Sequence, residues 1–195
     1  KSISGSLQAM LGRAELPGDL GEDVERGLQV VSTRAEALGR FMASYAKLAR
    51  LPAPERAPTQ VGRLIHRVAH VETRLPVRVE GPEEGEGEVV LEADADQLEQ
   101  ALINLIRNAV DATLEADGDE ATVALRWQLH GRDLHILVED EGPGLGDTGN
   151  LFVPFFTTKP GGSGIGLVLS RQIAESHGGS LVLENRSGAR GARAR

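Results

Sequence analysis

Asn104 and Asn108 lie four residues apart in the segment from Glu99 to Asp111, whose apolar residues follow helical spacing, so both amides share one helical face. A neutral amide oxygen is a hard donor suited to Mg²⁺, which takes oxygen ligands and completes its shell with water and phosphate oxygens. Taken alone, the pair equally describes two structural amides bonded to each other. Asp140 ends a β-rich run and opens the sequence Glu141-Gly142-Pro143-Gly144. A carboxylate there can accept a hydrogen bond from an exocyclic amine, while the glycines let backbone approach a flat ring. Asp-x-Gly-x-Gly also describes ordinary turns. Farther on, Gly162, Ser163, Gly164, Ile165, Gly166 and Leu167 open a helix, so that several backbone N–H groups can converge on phosphate oxygens. Thr158 and Lys159 stand just before them, and the lysine offers a mobile positive charge.

These residues need a scaffold, and the spacing of apolar side chains supplies one. A helix is expected from Gln97 to about Glu115, capped by Asp94 or Asp96 and buried through Leu98, Leu102, Leu105, Ile106 and Val110. Residues 122–130 and 134–140 alternate like paired strands around a turn at Gly131, Arg132 and Asp133. A helix from Gly164 to about Ser176 and a strand from Ser180 to Asn185 close the order. Upstream, a helix opens at Thr59 as N-cap, with Val61, Leu64, Ile65 and Val68 on one face. The runs 77–80 and 89–92 read as a hairpin around a solvated acidic turn. The expectation is an α+β fold, a two-layer α/β sandwich with helices on one face of a mixed sheet.

The first fifty residues differ. Val24, Leu28, Val31, Ala35, Leu38, Met42 and Tyr45 alternate by four and three, the a/d signature of a helix in a bundle or coiled coil. A shorter companion, Ile3 to Leu11, precedes it and ends in a turn at Leu16, Pro17, Gly18 and Asp19. Three helical turns do not cover so long a stripe, so upstream sequence or a second protomer is expected to do so. The segment Leu51 to Pro58 carries three prolines, which end a helix and make a semi-rigid connector. Three regions are therefore expected: a partial helical hairpin over 1–50, a linker over 51–58, and a second domain over 59–195.

Composition narrows the function. The 195 residues carry 21 basic and 29 acidic side chains, net −8, which argues against nucleic acid or an anionic membrane as main partner. Residues 81–100 hold eight acids and no base, so the excess describes one solvated edge. Cysteine is absent, excluding disulfides, thiolate metal sites and cysteine nucleophiles. No apolar run approaches the ~18 residues that span a bilayer. Glycine numbers 24, and ten of these fall between Gly142 and Gly179, where half of the six aromatics also lie. His66 and His70 share a helical face, while His130, His135 and His177 sit at element edges. All five read as solvated or packed side chains, and Met10, Met42 and Trp127 as packing residues.

In this order the motifs resemble the four boxes of the GHKL ATP-binding superfamily. Asn104 and Asn108 are similar to the N box, Asp140 to Gly144 to the G1 box, Phe152 to Lys159 to the F box, and Gly162 to Leu167 to the G2 box. The chain most resembles bacterial sensor histidine kinases of the nitrogen-regulation type, over residues 59–195 and more loosely before them. The resemblance implies ATP and Mg²⁺ as cofactors, with Asn108 on the metal, Asn104 on the phosphate side and Asp140 on the adenine amine. It implies that Gly142 and Gly144 shape the pocket. Thr158, Lys159 and the N–H groups from Gly162 through Ser163, Gly164, Ile165 and Gly166 to Leu167 hold the phosphates, Asn104 and Lys159 serving catalysis. Phe155 and Phe156 anchor a lid over 146–162. It implies a homodimer through the helical stem, an acceptor histidine upstream of Lys1, and transfer onward to a response-regulator receiver domain. The parent would be cytoplasmic, meeting a membrane only through upstream parts, and this chain would bind ATP without phosphorylating itself.

Two departures stand out: Asp111 occupies a position where many relatives have a lysine, and Ser163 replaces a commoner threonine. The gyrase-like, mismatch-repair-like and chaperone ATPases of the superfamily use a glutamate four residues before the metal-binding asparagine. Here that residue is Asn104, which disfavours direct hydrolysis. A dimerisation and signalling module independent of nucleotide is the remaining alternative.

Overall fold

The structure, a computed structural model, describes residues 18–49, 51–82, 89–116, 122–146, 148–159 and 162–195. They fall into two compact units that meet at Leu51 and Pro52. The first contains helix α1 (Gly18–Ala49). Along its apolar stripe Val24 and Leu28 are half-buried, whereas Val31, Leu38, Met42 and Tyr45 are 52–62% exposed. Met42 is one of these exposed stripe residues. The companion expected at 3–11, with Leu16 and Pro17, lies outside the described residues; Gly18 and Asp19 belong to the first turn of α1 instead of a reverse turn.

The second unit is built from β1 (Ala57–Gln60), α2 (Val61–Val71), β2 (Val77–Glu80), β3 (Val90–Ala93), α3 (Ala95–Leu114), β4 (Val123–His130), β5 (Asp133–Glu139), α4 (Gly166–Ser176), β6 (Leu183–Asn185) and β7 (Ala192–Ala194). Five strands form one sheet in the order β2-β4-β5-β7-β6; β2 and β4 run parallel and the other pairs antiparallel. Side chains alternate across it. Val123, Leu125, Trp127 and Val138 turn to one face and are buried against Leu64, Ile65 and Val68 of α2 and Leu102, Ile106 and Val110 of α3. On the opposite face Glu139 meets Arg126 at 2.9 Å and Arg193 at 2.6 Å, while Arg126 also meets Glu80 at 2.6 Å. Helices therefore cover one face of a mixed sheet, and ion pairs line the other: a two-layer α/β sandwich.

The expected hairpin of 77–80 and 89–92 does not form. β2 pairs with β4, which brings Val77 and Val79 level with Val123 and Leu125 and adds their apolar sides to the core. β3 instead pairs antiparallel with β1 as a separate two-stranded sheet. Thr59 is accordingly a strand residue, its hydroxyl within 3.0 Å and 3.1 Å of the Ala57 and Ala93 carbonyls. Helix α2 starts two residues later, from Gln60, with no side-chain cap. β6 is shorter than expected from 180–185, and β7 adds a strand that periodicity missed. The proline segment is held on this unit: Gln97 Nε2 donates to the Pro52 carbonyl, the Glu55 N–H to Asp94 Oδ2, and Arg56 Nη2 to the Ser176 carbonyl.

Asp94 joins the two helices that frame the site. Its Oδ1 accepts the Gln97 N–H at 3.0 Å, capping α3 as the sequence suggested, and its own N–H donates to His177 Nε2 at 3.1 Å. Because Nε2 of His177 faces a donor, its proton sits on Nδ1, 2.8 Å from the Ile173 carbonyl at the end of α4. The buried Ser170 hydroxyl donates to the Ala101 carbonyl and ties the helices again. The other histidines are structural or solvated: His70 bonds the His66 carbonyl, and the His130 and His135 rings meet edge-on at 4.8 Å. Among the described residues no helix is long and apolar enough to cross a membrane.

The Gln97 N–H bond, with those from Glu55 and Asp96, holds the Asp94 carboxyl below its usual range against its partial burial. Its contribution to stability is then complete above the unfolded value of ~3.9 and is lost as pH falls through the lower folded value. Asp94→Ala is expected to lower unfolding free energy by about 1 kcal/mol near neutrality, a deficit that shrinks in urea titrations below pH ~4.

Candidate functional site

One stripe of α3 organises the site. Asn104, Asn108, Asp111 and Ala112 recur at helical spacing, on the side away from the buried Leu102, Leu105, Ile106 and Val110. The eight steps from Asn104 to Ala112 span about 12 Å of helix. At the first end, the Asn104 amide lies against the start of α4: a Cβ on Gly166 would come within 3.8–3.9 Å of its Cγ and Oδ1. In the middle, Lys159 Nζ is 3.2 Å from Asn108 Oδ1 and 2.7 Å from Asp111 Oδ2. At the last end, Gly142 rests directly on Ala112, whose carbonyl a Cβ would strike at 2.7 Å.

That close approach seats Asp140 beside the helix. The Glu141 N–H reaches the buried Thr113 hydroxyl, and Asp140 Oδ1 accepts N–H bonds from Gly142 at 2.9 Å and Ala192 at 3.0 Å. Among the described residues no hydrogen bond engages Oδ2, which leaves this oxygen for an incoming donor. Burial raises the Asp140 carboxyl above its usual range, more than the two N–H bonds and the charges of Arg186 and Lys159 lower it. Support comes from the chain's end: Arg186 Nη1 donates to the Asp140 carbonyl, and Gly191, at φ +104°, presses on the same carbonyl so closely that a Cβ has no place. Gly144, at φ +86°, is held by Asn185, whose amide bonds both the N–H and the carbonyl of Leu145.

The start of α4 offers the third element. Ile165 precedes its first turn with no side-chain cap, so the N–H groups of Gly166 and Leu167 have no side-chain acceptor there. The loop that leads in is joined at its base by the bond from the Phe155 N–H to the Gly164 carbonyl at 2.9 Å. Both residues have positive φ, +67° and +65°, and a Cβ on Gly164 would lie 2.5 Å from the Phe155 backbone. The Phe155 backbone thus ties the base of the loop. The Phe156 side chain is 49% exposed, and Arg171 lies 5.0 Å above the Phe152 ring. Inside the loop the Gly162 N–H bonds the Lys159 carbonyl. Thr158 and Ser163 are exposed.

The structure therefore brings Asn104, Asn108, Asp140, Gly142, Lys159 and Gly166 along one groove, with Gly144 and Ile165 at its edges. Sequence reading missed Arg74, Asn185, Arg186 and Gly191. Only Gly191 carried a signal, as a glycine in the tail; the others act through contacts between distant segments. A separate cavity of about 600 Å³ lies between α3, α4 and β5, lined by Leu98, Leu102, Leu105, Ile136, Ile173 and Leu181, and none of the groove residues reach it. Its walls mix these apolar side chains with Arg132, Asp133, His135, Ser170, His177 and Arg195.

Residues 93–195 match the family described as histidine kinase-, DNA gyrase B-, and HSP90-like ATPase. The sensory histidine kinase/phosphatase NtrB of Klebsiella oxytoca is 35% identical over 150 residues, 68% of this chain and 42% of that protein. The catalytic domain of histidine kinase ThkA superposes with a TM-score of 0.60 at 28% identity, over 72% of this chain and 92% of that one. ThkA in complex with response regulator protein TrrA gives 0.65 at 21% identity, over 98% of this chain and 55% of that one, a likeness of fold. The chain belongs to this ATPase family, as an ATP-binding catalytic domain of the sensor histidine kinase kind. It spans 15–42% of the length of the curated relatives it matches.

Gly191→Ala forces a Cβ into the Asp140 carbonyl at a backbone angle alanine rarely adopts. The expected cost is about 1–3 kcal/mol of unfolding free energy. Asn185→Ala, which only frees the Gly144 turn, is expected to cost less in the same urea titration.

Proposed function

We propose that the groove along α3 binds ATP with Mg²⁺, and that within a longer protein it transfers the γ-phosphoryl group to a histidine and thence to a response-regulator aspartate. The observation that carries the reading is the order of groups along α3. A half-free buried carboxylate stands at one end, an amide and a lysine in the middle, and an uncapped helix N-terminus at the other. That is the sequence of needs of a nucleoside triphosphate: an amine to be read, then phosphate charge to be balanced.

Asp140 Oδ2 accepts from the adenine amine while Gly142 and Gly144 bring backbone to the ring. The N–H groups at Gly166 and Leu167 take phosphate oxygens, and Lys159 adds charge from the loop, helped by the backbone from Gly162 through Ser163, Gly164 and Ile165 and by Thr158. Asn108 is the metal ligand. Its Oδ1 already faces a cation, the Lys159 ammonium, and an amide oxygen suits Mg²⁺. Among the described residues no three histidine or acidic side chains gather as a self-sufficient metal centre, as fits a cation shared with phosphate oxygens and water. When bound, Mg²⁺ would spread the negative charge of the phosphates. Asn104, against Gly166, is a hydrogen-bonding group and no general base, which favours transfer to a positioned side chain over attack by water.

The acceptor is none of this chain's five histidines. His177 has both ring nitrogens engaged, His70 bonds its own helix, and His66, His130 and His135 lie outside the groove. The exposed apolar stripe of α1 supports a homodimer through the helical stem, and the ThkA–TrrA complex supports a receiver domain as partner. The net acidic charge speaks against nucleic acid, and a cytoplasmic location suits a kinase that uses ATP.

Calorimetric titration of the chain with a non-hydrolysable ATP analogue and Mg²⁺ tests the proposal, binding being expected in the micromolar to millimolar range. Asp140→Ala is expected to abolish the heat, and absence of heat in the unaltered chain would remove the nucleotide assignment. Affinity is also expected to fall on acidification, because the ionised carboxylate is the better acceptor. With the Asp140 carboxyl raised by burial, the fall begins above the ~3.9 of an ordinary aspartate. A loss confined to lower pH contradicts Asp140 as the reader. No phosphohistidine is expected on this chain incubated alone with ATP.

A further inference from the structure

Asp111 is an unexpected neighbour for a polyphosphate. It lies on the groove side of α3, one turn beyond Asn108, and carries a negative charge where the substrate carries more. Its two oxygens are both committed. Oδ2 takes the Lys159 ammonium at 2.7 Å, and Oδ1 takes Arg74 Nη1 at 2.7 Å. Arg74 comes from the connector between α2 and β2 and is itself gripped by Glu72, whose carboxylate accepts from Arg74 Nη2 at 2.7 Å and Nε at 3.0 Å and from the N–H groups of Thr73 and Arg74 at 2.9 Å. The Arg74 bonds hold the Glu72 carboxyl at about 2. Arg74 is thus a cation tied within its own connector by the Glu72 carboxylate. Lys159 is a cation on a loop whose base closes through the Phe155–Gly164 bond.

We propose that Asp111, neutralised by Arg74, is an internal stand-in for phosphate that holds Lys159 and its loop in the nucleotide-free protein, and that ATP binds by taking Lys159 from it. The inference rests on the groove being the nucleotide site. A carboxylate with two acceptor oxygens meets an ammonium much as a phosphate does. Because Lys159 also lies on Asn108 Oδ1, the same exchange frees the amide that the metal needs. Arg74 sets the strength of the latch. Sharing the carboxylate with a second cation weakens its claim on Lys159, and cancelling its charge keeps the groove from repelling phosphates. Asp111 and Arg74 are positioning residues that act through Lys159.

The signs follow. Asp111→Asn keeps the shape and removes the competitor. In the unaltered protein without nucleotide, amide hydrogen exchange over 152–159 is expected to be slow, and in Asp111→Asn faster. The ATP analogue is expected to bind Asp111→Asn about threefold to tenfold more tightly in EDTA, the range of a partly exposed charged contact. Lys159→Gln is expected to loosen the same segment, and adding Asp111→Asn to it should change neither exchange nor affinity further. Arg74→Gln leaves Asp111 with Lys159 alone. Exchange over 152–159 then stays slow, affinity drops about threefold or more, and the drop vanishes in the Asp111→Asn background.

Weaker binding by Asp111→Asn with Mg²⁺ present would overturn the proposal and mark the carboxylate as a metal ligand. An Arg74→Gln loss that persists in Asp111→Asn would overturn it too, making Arg74 a direct phosphate contact. Unchanged exchange in Asp111→Asn also refutes it. The exchange measurements need no nucleotide. If the unaltered chain binds no ATP analogue, the nucleotide reading falls while the Asp111–Lys159 latch is still judged by its exchange.

Discussion

Helix α3 has two faces with opposite requirements, and the arrangement of the second unit follows from meeting both. Leu102, Leu105, Ile106, Ala109 and Val110 must leave water, so they pack on α2 and on the apolar side of the sheet. That packing fixes the helix about its axis and along its length. Asn104, Asn108, Asp111 and Ala112 are then aimed together into one groove. A rotation that moved the polar stripe would also expose the buried one, at a cost of several kcal/mol for side chains of this size. The site's precision is borrowed from the core.

Close backbone contact does the rest. Gly142 on Ala112, Gly164 on Phe155 and Gly191 on the Asp140 carbonyl are places where no side chain fits, and each brings two backbone segments into direct contact. Asp94 and His177 fix the ends of α3 and α4 relative to each other, so the uncapped start of α4 stays beside Asn104. Electrostatics then fill the groove with paired charges. Asp111 sits between a cation on the connector after α2 and one on the loop before α4.

Much of this was legible from residue order. The amphipathic pattern placed α3 and its cap at Asp94, alternation placed β4 and β5 with their turn, and four motifs named the groove residues. The failures share one cause. The runs 77–80 and 89–92 look like a hairpin because they are close in sequence, yet each pairs with a strand elsewhere. Thr59 looks like a cap, but a strand ends beside it. Phe155 and Phe156 look alike, yet the turn at Gly164 holds one and leaves the other in water.

The sequence by itself determined the local periods, the caps and the chemical types available: amides, a carboxylate, glycines and a lysine in a family's order. Tertiary structure alone decided which strands pair and where charges from separate segments meet. Arg74 reaches Asp111 across 37 positions, and Lys159 reaches it across 48. No local pattern encodes such meetings, because they depend on how the core closes, and closure sums contacts over the whole domain. The departure visible as a single unusual residue, Asp111, gained a meaning only when the fold supplied its two partners.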